Sequence, residues 1–257
     1  MEGHNKGNAL FDDGIVEVYL DDTAKSSACT YRSTNESWSA RLYPEFTETE
    51  TVVGIVGGGE QILYCAKNPK VKRIIGIDIN TSQVSVCMAK ISLSYRNDDG
   101  KARLLEAAKG LWHDSRSLDG ISKDYTDSSI DSHGFSDIYE SLGRRFERRD
   151  LKLTLVCGDA LKILPQLYAR NATVYLSNLA DCIDDMDALY GSLENFLESN
   201  SRIILCELSS DYYRGRTGVF ADMIVNRRRD YRRVMKNAFR GYGDVLDEDI
   251  HILSPIR

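Results

Sequence analysis

Three consecutive glycines, Gly57, Gly58 and Gly59, stand between a β-branched run, Thr51-Val52-Val53-Gly54-Ile55-Val56, and a segment of helical character that begins at Glu60. Only glycine lets a backbone turn this sharply from strand to helix and leaves room for a ligand to approach the main chain. The same residues also permit close packing of helix on sheet. The turn therefore fixes a strand-turn-helix unit and leaves two uses for it open, ligand binding and packing.

That unit is repeated along the chain. Apolar runs of strand length at 51–56, 73–77, 151–156, 173–176 and 202–205 alternate with helical patterns at 60–67, 81–95, 101–112, 135–145, 160–169, 184–197 and 219–239. Such alternation predicts right-handed βαβ units, hence an α/β fold with a doubly wound, mostly parallel Rossmann-like sheet and helices on both faces. In the second helix Val84, Cys87, Met88, Ile91 and Tyr95 share one face, which predicts packing on the sheet, with Thr81 or Asn80 as its cap. About seventy residues separate the second and third strands, more than a crossover needs. A helical insert is expected at about 97–150, with an acidic Ser- and Gly-rich loop over 113–137 that reads as a solvated connection or a lid. The expected organisation is an N-terminal arm or cap over 1–50 and one ligand-binding domain over 51–257.

Bulk properties exclude several classes. A formal net charge of -6 on 257 residues argues against general affinity for nucleic acid or an anionic membrane. No stretch reaches the apolar length of a membrane helix, and residues 1–8 lack the apolar segment of a signal peptide, so a cytoplasmic protein is expected. The six cysteines are scattered with no CxxC pair, which reads as buried reduced thiols, and four histidines without HxH or HxxxH spacing give no reason to expect a metal. In the C-terminal third, Arg214, Arg216, Arg227, Arg228, Arg229, Arg232 and Arg233 surround Phe220, Ile224, Tyr231, Val234 and Met235, a pattern read as a helix with a solvated basic face or as an interaction surface.

Nineteen residues beyond Gly59, at the end of the second strand, stands Asp78. A carboxylate there can accept both hydroxyls of a ribose, as in dinucleotide sites; it can also cap the helix that follows. At the end of the third strand Val156-Cys157-Gly158-Asp159-Ala160 offers a second acid, and that of the fourth presents Ser177 and Asn178 at the rim where open α/β sheets bind ligands. Asp159 suits an N-cap, and a Ser-Asn pair at a strand end suits a turn.

Several of these segments resemble a known family in order and spacing. Tyr31-Arg32-Ser33-Thr34-Asn35-Glu36, the glycine turn, the run from Asp78 through Ile79 and Asn80 to Gln83, the helix bearing Lys90, and Tyr175-Leu176-Ser177-Asn178-Leu179 are similar to the betaine-lipid 3-amino-3-carboxypropyltransferases and their small soluble relatives. The resemblance covers roughly 31–207. It implies a fold of the class I methyltransferase type and S-adenosyl-L-methionine as cofactor, with Asp159 on the adenine amino group and Ala160 against the ring. It implies further that Gly57, Gly58, Gly59, Asp78, Ile79, Gln83, Tyr31, Asn35 and Glu36 surround the nucleoside. Ser177 and Asn178 would grip the methionine arm, and Tyr213, with Tyr212, would orient a small soluble nucleophile or simply pack. Transfer of the 3-amino-3-carboxypropyl group, or cyclisation at the same γ-carbon, rests on the resemblance alone. A methyltransferase and a non-catalytic nucleotide-binding regulator are the competing functions.

Overall fold

The computed structural model describes residues 9–26, 37–113, 136–167, 169–177, 179–208, 215–238 and 248–256. Its strands are β1 (Ala9–Asp12), β2 (Val16–Leu20), β3 (Thr51–Ile55), β4 (Arg73–Asp78), β5 (Lys152–Cys157), β6 (Thr173–Ser177), β7 (Arg202–Leu208), β8 (Tyr231–Ala238) and β9 (Glu248–Pro255). The helices are α1 (Ser37–Phe46), α2 (Glu60–Leu63), α3 (Thr81–Ser92), α4 (Asp98–Leu111), α5 (Ser136–Arg148), α6 (Ala160–Ile163), α7 (Leu179–Cys182), α8 (Met186–Ser192), α9 (Glu194–Glu198) and α10 (Arg216–Arg227).

All the strands join one sheet in the order β1-β2-β5-β4-β3-β6-β7-β9-β8. From β2 to β7 neighbours run parallel, while β9 is antiparallel to both β7 and β8. Counted from β3, the order reads 3-2-1-4-5-7-6 with the seventh strand reversed, the arrangement of the class I methyltransferase type. The chain changes direction of winding between β3 and β6. Ligands of open α/β sheets bind at such a switch point, outside the carboxyl ends of the strands.

The strands alternate, and the alternation builds two cores. Val52, Ile74 and Leu153 face a layer made with Tyr43 of α1, Ile62 of α2, Met88 of α3, Leu104 of α4 and Leu142 of α5. Val53, Ile75 and Val156 face the opposite layer with Ile163 of α6, Leu189 of α8, Phe196 of α9 and Phe220 of α10. A sheet buried on both faces needs continuous apolar runs, and these strands supply them. The expected insert contributes α4 and α5 to the first layer; residues 114–135, the body of the acidic loop, lie outside the described residues.

Several expectations are corrected. Residues 9–20, read as part of an arm, form a hairpin whose second strand pairs in parallel with β5. The helical pattern at 184–197 breaks into two short helices, and that at 160–169 ends in a tight turn at Leu164–Gln166, where Pro165 cannot continue the ladder.

The largest correction concerns 219–239. The helix stops at Arg227, where Asp230 receives both Nε and Nη2 of Arg228 (2.9 and 2.8 Å) and Tyr231 N–H donates to Arg228 O (2.9 Å). The turn sends the chain into β8 alongside β9, a strand that local pattern did not reveal, so tertiary pairing overrides helix propensity. Tyr231 is buried, its hydroxyl donating to Ser201 O (2.7 Å), whereas Val234 and Met235 are 39% and 52% exposed. The arginines thus do not share one helix: Arg216 and Arg227 lie on α10, Arg228 and Arg229 in the turn after it, and Arg214 outside the described residues, while Arg232 and Arg233 mark an edge strand, where charge discourages pairing with another chain.

Among the described residues, Cys65, Cys87, Cys157 and Cys206 are buried thiols outside any disulfide, and burial pushes the first three up to about 12. Cys182 is exposed, against expectation.

Candidate nucleoside-binding crevice

The crevice opens where β3 ends. Val56 N–H still pairs with Ile77 O (2.9 Å), and the backbone then turns through Gly57 at φ +46° and Gly59 at φ +94° before α2 begins. Both values lie in the left-handed region that side chains with a β-carbon avoid. The two glycines serve different ends. A β-carbon on Gly59 would lie 3.1 Å from Cys87 Sγ, so this glycine lets α3 pack against the turn. A β-carbon on Gly57 would instead collide with the end of the Gln61 side chain, which lies over its open face. The carbonyl of Gly58 accepts from Lys90 Nζ, which also forms an ion pair with Glu60; both charged side chains are buried beneath the turn.

Asp78 closes β4 beside this turn. Its Oδ2 accepts Gly57 N–H (3.1 Å) and its Oδ1 accepts Asn80 N–H (2.9 Å). Burial pushes its carboxyl up to about 6, against the opposing pull of these two N–H groups. The capping alternative for Asp78 goes instead to Asn80, whose side chain accepts Ser82 N–H (3.0 Å). Ile79 is tied to the strap that follows β2: Lys25 N–H donates to Ile79 O (2.7 Å). Gln83 is buried in the first turn of α3.

The rim continues to β5. Gly158 N–H donates to Asp78 O (2.7 Å), which holds Asp159 and Ala160 one strand away from Asp78. Asp159 does cap α6, accepting Leu161 N–H (3.0 Å), while its own N–H donates to Thr23 Oγ1 (2.8 Å). Asp159 and Ala160 are half-buried, so the cap leaves this edge of the crevice in contact with solvent. Across β3, Ser177 ends β6 at φ +55°, next to a bulge in the pairing with β7. A non-glycine residue in the left-handed region at a strand end is a strained position of the sort concentrated at functional sites. Tyr175 serves the core below: its ring stacks on Tyr43 at 4.3 Å and its hydroxyl donates to Tyr43 O (2.7 Å).

The structure therefore brings Gly57, Gly58, Gly59, Asp78, Ile79, Asp159, Ala160 and Ser177 to one carboxyl rim, with Gln83 behind it. Tyr31, Asn35, Glu36, Asn178 and Tyr213 lie outside the described residues, as does Tyr212. Sequence reasoning missed Gln61, two residues beyond the glycines, although its polarity in a buried turn was a signal. It also missed a pair at the end of β7, where His251 Nε2 lies 2.8 Å from Glu207 Oε2. Burial and Arg233 hold this imidazole below its usual range against the pull of Glu207. The isolated His in the alternating run Ile250-His251-Ile252 was its only sequence sign.

No protein-family model matches the chain, and no curated protein matches it. Among solved structures it is similar to the O-methyltransferase TomG from Streptomyces achromogenes in complex with S-adenosylmethionine, at 14% identity over 87% of this chain and 81% of that one, TM-score 0.44. TrmK of M. capricolum, in complex with S-adenosylhomocysteine, is similar at 11% identity over 87% and 70%, TM-score 0.44. The methyltransferase domain of the bacterial protein CtHen1-C is similar at 9% identity over 86% and 99%, TM-score 0.43. The fold assignment stands on the strand order itself.

Proposed function

We propose that the chain is a transferase that binds S-adenosyl-L-methionine across the glycine turn and passes one of its carbon groups to a small soluble nucleophile. The observation that carries this reading is the Gly57–Asp78 contact at the switch point of the sheet. It sets a carboxylate beside three glycines that carry no side chain of their own. The fit to a nucleoside is chemical. Asp78 has the charge and position to accept from ribose hydroxyls, with Asp159 to accept from an adenine amino group and Ile79 and Ala160 to line the ring. Gly57 has no side chain of its own there, so a ligand approaching it has only the end of the Gln61 side chain to displace.

When bound, the cofactor supplies a sulfonium centre whose attached carbons are open to displacement. The role of the chain is to align a nucleophile with one of those carbons, which is worth several orders of magnitude in rate. Ser177 and Asn178 are assigned to the methionine arm, Tyr213 to the acceptor, and Tyr31, Asn35 and Glu36 to closure over the nucleoside. Methyl transfer is the first reading, since the methyl is the least hindered carbon. Attack on the γ-carbon is the second. It rests on the resemblance of 31–207 alone; Lys90, locked to both Gly58 O and Glu60, belongs to the turn's own construction.

Product analysis tests the reading. Incubation with S-adenosylmethionine and a small-molecule extract, followed by chromatography, yields S-adenosylhomocysteine for methyl transfer and methylthioadenosine for γ-carbon attack. Asn178→Ala slows turnover more than it weakens methylthioadenosine binding, because the lost contact is on the arm. Release of neither nucleoside, with tight cofactor binding, would indicate a regulator.

A further inference from the structure

Glu207 and His251 lie on neighbouring antiparallel strands at the carboxyl end of β7. His251 stands opposite Leu205 and is buried, and its Nδ1 has no hydrogen-bond partner. A proton on Nδ1 would bury an unsatisfied N–H, so the single proton of the neutral ring belongs on Nε2, which donates to Glu207 Oε2 (2.8 Å). The ring thus fixes one carboxylate oxygen.

The other oxygen is left open. Oε1 accepts no hydrogen bond among the described residues, and the Glu207 side chain is 25% exposed. Two glycines give the carboxylate its place against the first turn of α10: a β-carbon on Gly218 would lie 3.0 Å from Oε2, and one on Gly215 3.4 Å from Oε1. Asp181 flanks the same turn, accepting Arg216 N–H (3.0 Å) and the Thr217 hydroxyl (2.9 Å). The arginines of this region are engaged elsewhere, Arg216 with Asp184 and Arg233 with Asp222. No lysine or arginine is ion-paired to Glu207 or Asp181 among the described residues. Leu205 pairs with Ser177 of β6, so Glu207 stands two residues further out, about 7 Å past the level of Ser177. The carboxyl rim therefore has an anionic end one strand beyond the position assigned to the methionine arm, on the side away from Asp78.

We propose that Glu207 recognises the acceptor through a cationic amine that donates to its open Oε1, and that His251 is the positioning residue that holds the carboxylate for it. An ionised carboxylate accepts and never donates, so a donor must meet it, and its unpaired charge selects a cation over a hydroxyl and repels an anion. The proposal rests on the reading of the chain as an S-adenosylmethionine-dependent transferase and narrows the small soluble nucleophile to the amines. Glu207 binds and orients, with no part in proton transfer.

To test this, a small-molecule extract is separated by ion exchange into cationic, neutral and anionic fractions, and each is incubated with the full chain and S-adenosylmethionine. Nucleoside release is at least tenfold faster with the cationic fraction than with either of the others; an equal or faster rate with another fraction overturns the proposal. In Glu207→Gln the amount of cationic fraction that gives half the maximal rate rises at least tenfold, while the maximal rate and the calorimetric affinity for S-adenosylhomocysteine stay within threefold. His251→Leu shares the loss, and His251→Gln, whose amide N–H replaces that of Nε2, returns the half-maximal amount to within threefold of wild type. An unchanged half-maximal amount in Glu207→Gln, or an equal loss of S-adenosylhomocysteine affinity, overturns the assignment. Should the variants fail to fold, the comparison of fractions on the wild-type chain decides the matter. A wild-type chain that does not bind S-adenosylhomocysteine, or binds it and releases neither nucleoside with any fraction, refutes the parent reading, whereas release confined to the neutral or anionic fraction refutes this proposal alone.

Discussion

Asp78 is the residue to which the proposed function assigns the ribose, and its ionisation gives a quantitative test of that assignment. Burial raises its carboxyl from 3.8 to about 6 in the ligand-free chain. A raised value favours the protonated form in the fold, so the stabilisation is fully present below pH 3.8 and is lost as pH rises through about 6. The full shift corresponds to about 3 kcal/mol, and screening by water at the half-buried rim reduces this to about 1–2 kcal/mol. Ribose hydroxyls act in the opposite sense, since donation to the charged carboxylate stabilises the ionised form. At pH 5 only about one molecule in eleven carries the charge if the value is near 6. Affinity for methylthioadenosine, whose own groups do not titrate between pH 5 and 8, should thus rise about tenfold over that range. In Asp78→Asn the profile should be flat, and affinity at pH 8 lower by about 1.5–3 kcal/mol, the worth of hydrogen bonds to a charged group. Calorimetry at constant ionic strength measures both. An equal slope in the mutant, or no slope in the wild type, refutes the assignment of Asp78 to the ribose.

Two substitutions separate binding from stability. Gly57→Val places a branched side chain at φ +46° and over the crevice, so methylthioadenosine binding should be lost while the melting temperature falls by only a few degrees, the cost of about 1–2 kcal/mol of backbone strain; normal binding by the folded mutant would assign Gly57 to packing. Lys90→Met takes the ammonium from a buried Glu60 and should cost about 3–5 kcal/mol in urea unfolding, most of it recovered when Glu60→Met is added. A loss below about 1 kcal/mol would show that Glu60 does not depend on the pair.

Much of this arrangement is legible in the sequence because it is local. A β-branched run, three glycines and an acid nineteen residues on define two strand ends and the turn between them, and Val52 and Val53 face opposite cores, as a doubly covered sheet requires. What was hidden depends on distant partners. Tyr231 to Met235 has a helical stripe but pairs with β9, and that partner lies beyond 239–247. Val16 to Leu20 gained its strand identity from β5, more than a hundred residues away in the chain. The placement of the Gln61 amide over Gly57 was hidden for a related reason: it is a property of packing, which no spacing encodes.

Equilibrium dialysis of the purified chain against tritiated S-adenosylmethionine tests the central claim most directly. The account predicts saturable retention of one equivalent, displaced by unlabelled S-adenosylhomocysteine, resistant to NAD, and lost in Asp78→Ala. No retention, or displacement by NAD as readily as by S-adenosylhomocysteine, would contradict it.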